Sequence, residues 1–182
     1  LLDERTHVFV DPEFGDRGRM YSLMDAQIPA QMRRLCSRAA TVTPNLTEAA
    51  YLLDVPYPGD RASREVVTDL CRGLCDLGPE NVVITDVSFD PGYTGVAVYR
   101  RGMEEPAFLC HERFPHMFHG TGDVFASFLL GALLNGMSLE AAAALALRLT
   151  HLSIRLTLQG GEPLRYGLRF EQALGPYIDK LG

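Results

Sequence analysis

The sequence has no pair of cysteines at CxxC spacing. Cys36, Cys71, Cys75 and Cys110 are its only four. Cys71 and Cys75 stand one helical turn apart in an apolar stripe, which reads as buried free thiols rather than disulfides or a metal site. It has no uncharged apolar run near the ~20 residues of a membrane span and no signal-peptide pattern at its start. A cytoplasmic location is the default that follows. It has no basic excess: 17 Lys and Arg stand against 23 Asp and Glu, a net charge of −6. That argues against nucleic acid as the main partner, but not against a phosphorylated small molecule, whose sites work through local amides and metal ions. His7, His111, His116, His119 and His151 fall in no recognised metal-ligand spacing, so they read as solvated or structural. There are no internal repeats, low-complexity tracts or strong linkers. The first residue is Leu1 rather than Met, and a strand follows almost at once; upstream residues are therefore expected.

What is present is an ordinary globular composition, 182 residues that are 47% hydrophobic and 22% charged, enough for one domain with a full core. Strands and helices alternate. His7–Val10 is a short strand ending in Asp11-Pro12. Met24, Ile28, Met32, Leu35, Cys36 and Ala39 recur at helical spacing. Thr41–Thr43 is a second strand, stopped by Pro44, and a brief helix follows with Leu46, Ala49, Ala50, Leu52 and Leu53 on its apolar face. Ser63 is placed to cap a helix burying Val66, Val67, Leu70, Cys71, Leu74 and Cys75, and Gly78 to end it. Asn81–Thr85 is a buried-type strand; Gly95–Tyr99 and Ala107–Cys110 read as a hairpin or meander. Gly120–Asp123 opens an apolar helix, Ser138 caps another rich in Ala and Leu, and a last amphipathic helix lies within Phe170–Leu181. The expected fold class is α/β, helices packed on a mainly parallel sheet in a single domain spanning 1–182.

Four segments carry chemistry. In His119-Gly120-Thr121-Gly122-Asp123 two glycines let the backbone approach a ligand. The helix they open offers unpaired N–H groups and partial positive charge to an anion, such as a phosphoryl group in transfer, and Asp123 in its first turn can act as a general base toward a hydroxyl. The structural alternative is a glycine turn with Asp123 steadying the helix. In DPEFGD, Asp11 and Asp16 stand at a strand's C-terminal edge, where open α/β sheets bind ligands, with Tyr21 just beyond; turn-forming residues would look the same. In TPNLTE, Thr43, Asn45, Thr47 and Glu48 follow the next strand, where capping is the plain alternative. Thr85 ends the third strand, its hydroxyl placed to meet a phosphate. If the strands are parallel, these groups face one crevice, and Asp16 and Glu48 have the oxygen chemistry of Mg2+ sites.

DPEFGD resembles the DPVxGD segment of pyridoxal (vitamin B6) kinases, TPNLTE their TPNxxE segment, and HGTGDVFAS their GTGD motif with its helix. The order and spacing are as in that family, and the Arg165-Tyr166-Gly167 tail resembles its bacterial members. The resemblance covers nearly all of the chain. It implies a ribokinase-like fold, ATP with Mg2+ and a monovalent cation such as K+, a B6 vitamer as substrate, and a homodimer. It further implies Asp123 as the base activating the 5′-hydroxymethyl group, with the Gly120, Thr121 and Gly122 amides stabilising the γ-phosphoryl. Asp11 and Asp16 would lie beside phosphates and cations, and Glu48 would organise Mg2+ through water. Thr43, Asn45 and Thr85 would serve the nucleotide, and Tyr21 would belong to a mobile loop over it. Two departures stand out: Glu13-Phe14 replaces the family's Val-x, and the family's N-terminal region, which builds much of the pyridoxal pocket, is absent. Hydroxymethylpyrimidine kinases share the fold but commonly carry Cys at the position of Asp123. A nucleotide-binding fragment without turnover is the rival from another class.

Overall fold

Short apolar runs bounded by proline and aspartate make the centre of the first half. In a computed structural model of the chain, residues 6–114, 118–160 and 167–181 are described. They divide into two compact units, Leu1–Phe108 and Leu109–Gly182.

In the first unit β1 (Phe9–Val10), β4 (Thr41–Val42) and β5 (Asn81–Val87) are parallel neighbours, and β6 (Tyr93–Arg100) runs antiparallel along β5. The fold is α/β, with a mostly parallel order that turns antiparallel after β5. Val42, Val82, Val83 and Ile84 have no exposed surface. Such complete burial is what an unalternating β-branched run provides in a sheet covered on both faces. β2 (Gly15–Asp16) and β3 (Arg19–Met20) form a separate antiparallel hairpin. It sits inside DPEFGDRGRM, which the sequence reading treats as turn.

The helices start where their caps are. In α2 (Leu46–Leu53) the Asn45 side chain accepts the Glu48 amide, and in α3 (Arg64–Leu77) Ser63 accepts from Val66, as short polar side chains do at helix starts. α1 (Ile28–Cys36) begins later than the spacing from Met24 suggests, because Pro29 lies in its first turn and proline favours that position. Met24 and Leu35 are exposed, as is Val66 at 39%; the buried face of α3 begins at Val67. At the start of α3 the Arg64 guanidinium lies over both Phe89 and Phe108, 4.4 and 4.6 Å from their ring centres, and the two rings meet edge-on.

β7 (Ala107–Glu112) crosses the division between the units. In the second unit α4 (Thr121–Leu134) packs on α5 (Leu139–Gln159), followed by a 3-10 turn at Phe170–Ala173 and α6 (Leu174–Leu181). Ser138 caps α5. The Tyr177 hydroxyl of α6 donates to the Phe128 carbonyl at 3.0 Å, holding α6 to α4. α5 is long and apolar enough to cross a membrane by length and composition, yet half of its apolar window is buried inside the protein and it carries Glu140, Arg148 and Arg155. Packing on α4 accounts for its apolar face.

Cys36, Cys71 and Cys75 are buried free thiols as expected, whereas Cys110 is exposed. It lies on β7, whose partly covered residues leave it room. Burial pushes the Cys36 thiol up to about 12 and that of Cys75 to about 11.

Gly78 ends α3 with φ at +151°, and a β-carbon there would fall on the Ser37 carbonyl at the end of α1. Both the conformation and the contact exclude a side chain. Gly78→Ala is expected to destabilise the protein by about 2 kcal/mol or more, seen as a lower urea midpoint at unchanged slope.

Candidate functional site

Asp11, Thr43 and Thr85 lie at the C-terminal ends of the three parallel strands, so the topology alone gathers them. Thr43 is buried, 2% exposed, and its hydroxyl donates to Asp11 Oδ1 at 3.0 Å. That bond fixes the Asp11 carboxylate at the mouth of β1. Thr85 pairs with Asn45 in a parallel bridge, and its amide donates to the Pro44 carbonyl at 2.9 Å. The β5 register shifts between Ile84 and Val87, with Asp86 at φ +56°. A bulge of this kind turns the end of a strand out of its ladder.

The first turn of α2 joins these strand ends to the β2–β3 hairpin. Glu48 is 2% exposed. Its Oε1 accepts the amides of Phe14 at 2.8 Å and Gly15 at 3.4 Å, and its Oε2 accepts the Asn45 amide at 3.0 Å. Asn45 returns a bond from Nδ2 to the Gly15 carbonyl at 2.7 Å. TPNLTE therefore caps its own helix, as the plain alternative has it, and also binds DPEFGD. Phe14 turns fully into the core, edge-on to Tyr51, while Glu13 points outward as an exposed residue at φ +43°. Alternation thus keeps the Glu13 carboxylate out of the interior.

Asp16 and Tyr21 occupy the open side. Asp16 Oδ1 accepts the Arg17 amide at 2.8 Å, and its side chain is 37% exposed. Tyr21 is 46% exposed; its phenol is raised by burial and by the negative charges of Glu48, Asp16, Glu13 and Asp11. Asp11, Asp16, Tyr21, Thr43, Asn45, Glu48 and Thr85 thus form one neighbourhood within the first unit. Among the described residues no group of three His, Cys, Asp or Glu is disposed to hold a metal ion. Asp16 is the more open carboxylate, with Arg17 Nε 3.9 Å from its Oδ2; Glu48 is buried, with amides on both oxygens.

The second unit carries the other segment. Gly120 starts α4 in the left-handed conformation, φ +81°, with no side chain capping the helix. α2, α3 and α5 are capped by Asn45, Ser63 and Ser138, while α1, like α4, has no side-chain cap and begins with proline in its first turn. The α4 terminus is left without that acceptor, the state in which a helix start receives an anion. Gly122 and Asp123 are exposed, and Thr121 Oγ1 donates to the Phe118 carbonyl at 3.4 Å. The Asp123 carboxylate lies back toward Gly120, where a β-carbon would be 3.8 Å from its Oδ2. The His151 ring centre lies 4.8 Å from those of both His111, edge-on, and Phe114, tilted, a packing cluster rather than a ligand set. His116, Arg165 and Tyr166 lie outside the described residues.

Residues 2–165 match the family profile described as phosphomethylpyrimidine kinase. No curated protein matches the chain. Among solved structures, a Bacteroides thetaiotaomicron protein provisionally named a phosphomethylpyrimidine kinase, crystallised with pyridoxal, is 34% identical with a TM-score of 0.89; the match covers 97% of this chain and 62% of that one. Pyridoxal kinase from Lactobacillus plantarum is 28% identical with a TM-score of 0.85, over 96% of this chain and 62% of that one. Pyridoxal kinase from Leishmania donovani, solved with ADP and pyridoxine, shares the fold at 24% identity and a TM-score of 0.78, over 96% and 58%. The chain thus spans about three-fifths of the length of these relatives, and its fold is ribokinase-like.

Burial outweighs the three amide bonds and, with Asp11 adding to it, pushes the Glu48 carboxyl up to about 7 from an ordinary 4.5. A pKa raised in the folded state adds stability below the unfolded value and loses it as pH climbs through the folded one. Stability from this group is therefore full below about pH 4.5 and gone above about pH 7, a swing of about 3 kcal/mol at most. Glu48→Gln is expected to flatten that part of the pH profile, measured by urea unfolding at pH 5 and pH 7.5.

Proposed function

The chain belongs to the phosphomethylpyrimidine kinase family, and from that premise we propose that the full-length protein transfers the γ-phosphoryl group of ATP to the 5′-hydroxymethyl group of a vitamin B6 vitamer: pyridoxal, pyridoxamine or pyridoxine. The family makes it a ribokinase-like small-molecule kinase. The B6 assignment is the finer step. The observation that carries phosphoryl transfer is Asp123 in the first turn of an uncapped, glycine-started helix, which joins a carboxylate base to an anion-accepting helix end; the B6 choice rests on its being Asp where hydroxymethylpyrimidine kinases commonly carry Cys. The likeness to a pyridoxal kinase at 28% identity supports the same choice.

In this mechanism Asp123 takes the proton of the hydroxymethyl group as its oxygen bonds to the γ-phosphorus and the bond to ADP breaks. The amides of Gly120, Thr121 and Gly122 face the charge on the transferred group, the interaction expected to contribute most. In the first unit Asp11, Thr43, Asn45 and Thr85 would serve the nucleotide phosphates, with Tyr21 beside them. Mg2+ would ride on phosphate and water oxygens with Asp16 as the exposed carboxylate, neutralising charge on the nucleotide; Glu48 would act on it only through the backbone it holds. The resemblance to B6 kinases supports, further, a homodimer acting in the cytoplasm.

A second reading, phosphorylation of a hydroxymethylpyrimidine, is favoured by the family description itself. The two differ in the ring that is read, and are separated by kcat/KM for both rings side by side with MgATP, since specificity is a ratio of those values. A B6 vitamer is expected to lead by at least about tenfold, the scale of one modest pocket contact; a lead for the pyrimidine would move the protein to the second reading and leave Asp123 in place. For the base itself, Asp123→Asn is expected to lower kcat by about 10²–10⁴-fold with ATP affinity unchanged. Near-normal turnover in the folded variant would remove Asp123 from that role, and absence of turnover in the full-length wild type would leave only nucleotide binding.

A further inference from the structure

The β2–β3 hairpin is too small to hold itself. Each strand has two residues, and an isolated hairpin is at best marginal in water even when longer. Its turn is Arg17-Gly18, with φ of +50° and +76°. Both central residues are left-handed, as the favoured two-residue hairpin turn requires, but an arginine pays for that conformation where a glycine does not. Something outside the hairpin must keep it shaped.

Asn45 and Glu48 grip its base at Phe14 and Gly15. The tip is gripped by Thr47, read from the sequence only as a possible cap, and by Tyr57, which lies outside every motif. The Gly18 amide donates to Thr47 Oγ1 at 2.8 Å, from the buried first turn of α2. On another side the Tyr57 ring covers Gly18 so closely that a β-carbon there would be 2.7 Å from Cδ1. Tyr57 is itself anchored, its hydroxyl donating to Asp60 Oδ1 at 2.5 Å. Gly18 is thus doubly required, by its φ and by the ring upon it. Asp16 is adjacent to this turn, and Tyr21 follows it with its amide on the Phe14 carbonyl at 3.0 Å.

We propose that Thr47 and Tyr57 are positioning residues that clasp the hairpin tip and thereby set where Asp16 and Tyr21 stand for the nucleotide. The proposal rests on the kinase reading for what the hairpin serves, but not for the clasp itself. Neither residue touches the reacting atoms. Thr47 contributes a single acceptor oxygen, and Tyr57 contributes the face of a ring, so the two have separable chemistry.

The test uses the full-length chain, with Thr47→Val, Thr47→Ser, Tyr57→Ala and Tyr57→Phe. Amide hydrogen exchange over residues 14–21 reads the clasp directly, and calorimetric titration with MgATP reads its consequence. Thr47→Val and Tyr57→Ala are each expected to speed exchange at Gly18 by roughly tenfold and weaken MgATP binding by roughly fivefold, the scale of one hydrogen bond or ring contact. Thr47→Ser restores the acceptor and Tyr57→Phe keeps the ring, so both are expected to stay within about twofold of wild type in each readout. Two variants at separate sites keep the test decisive if one fails to fold. Exchange at Gly18 unchanged in both disruptive variants would overturn the clasp. Faster exchange with unchanged MgATP affinity would overturn the positioning role. Failure of the wild type to bind MgATP would sink the kinase reading, and the exchange data would still decide whether the clasp exists.

Discussion

A single buried carboxylate joins two stretches of chain that lie more than thirty residues apart. Glu48 takes amides from Phe14 and Gly15 on one side and from Asn45 on the other. Without an acceptor there, the buried Phe14 and Gly15 amides would lack a partner, each at a cost of about 1–3 kcal/mol, and the part-buried Asn45 amide would lose its own. Bringing in an acid to satisfy them has its own cost, because desolvation disfavours the charge. The raised carboxyl records that the second cost is the larger. The site is accordingly built on a balance rather than on a surplus of stability, in the way functional regions commonly are.

The two units contribute different chemistry. The first gathers carboxylates and hydroxyls where three parallel strands end, and uses the start of α2 to hold an excursion of backbone against them. The second contributes one helix end from which the usual cap is missing. All 17 acidic residues of 1–108 stand against 11 basic ones, whereas 109–182 has six of each, so the whole excess of negative charge belongs to the unit with the strand ends. An anionic nucleotide would meet that unit through amides and accompanying cations rather than through favourable bulk charge.

Much of this was legible in the residues. Ser63 and Gly78 bound α3 as capping rules require, and the unalternating Asn81–Thr85 run became the buried β5. The strand-end positions of Asp11, Thr43 and Thr85 followed from the α/β alternation. Other features had no local signal. Two-residue strands are too short for a period-two pattern, and Arg17 is not a residue that announces a left-handed turn. Gly18 was the one available hint, as the residue such a turn favours. Thr47 looked like one more polar residue in a helix start, and Tyr57 like part of a Pro- and Gly-rich loop, because what they touch is brought to them only by the fold. Glu48 was read by its chemistry as a metal organiser; its amide partners depend on tertiary placement, which spacing along the chain does not encode. Val66 had the right period for the α3 interior and stands one position beyond the edge of the buried arc.

The uneven burial of the thiols gives the protein one chemical address. Cys36, Cys71 and Cys75 are enclosed, and their raised pKa values leave almost no thiolate at neutral pH, which is the form that reacts. Cys110 alone is open to reagents. A maleimide dye would therefore label this chain once, on β7, without any cysteine having to be removed. Because β7 runs from one unit into the other, that single fluorophore would sit on the strand along which the chain passes between them.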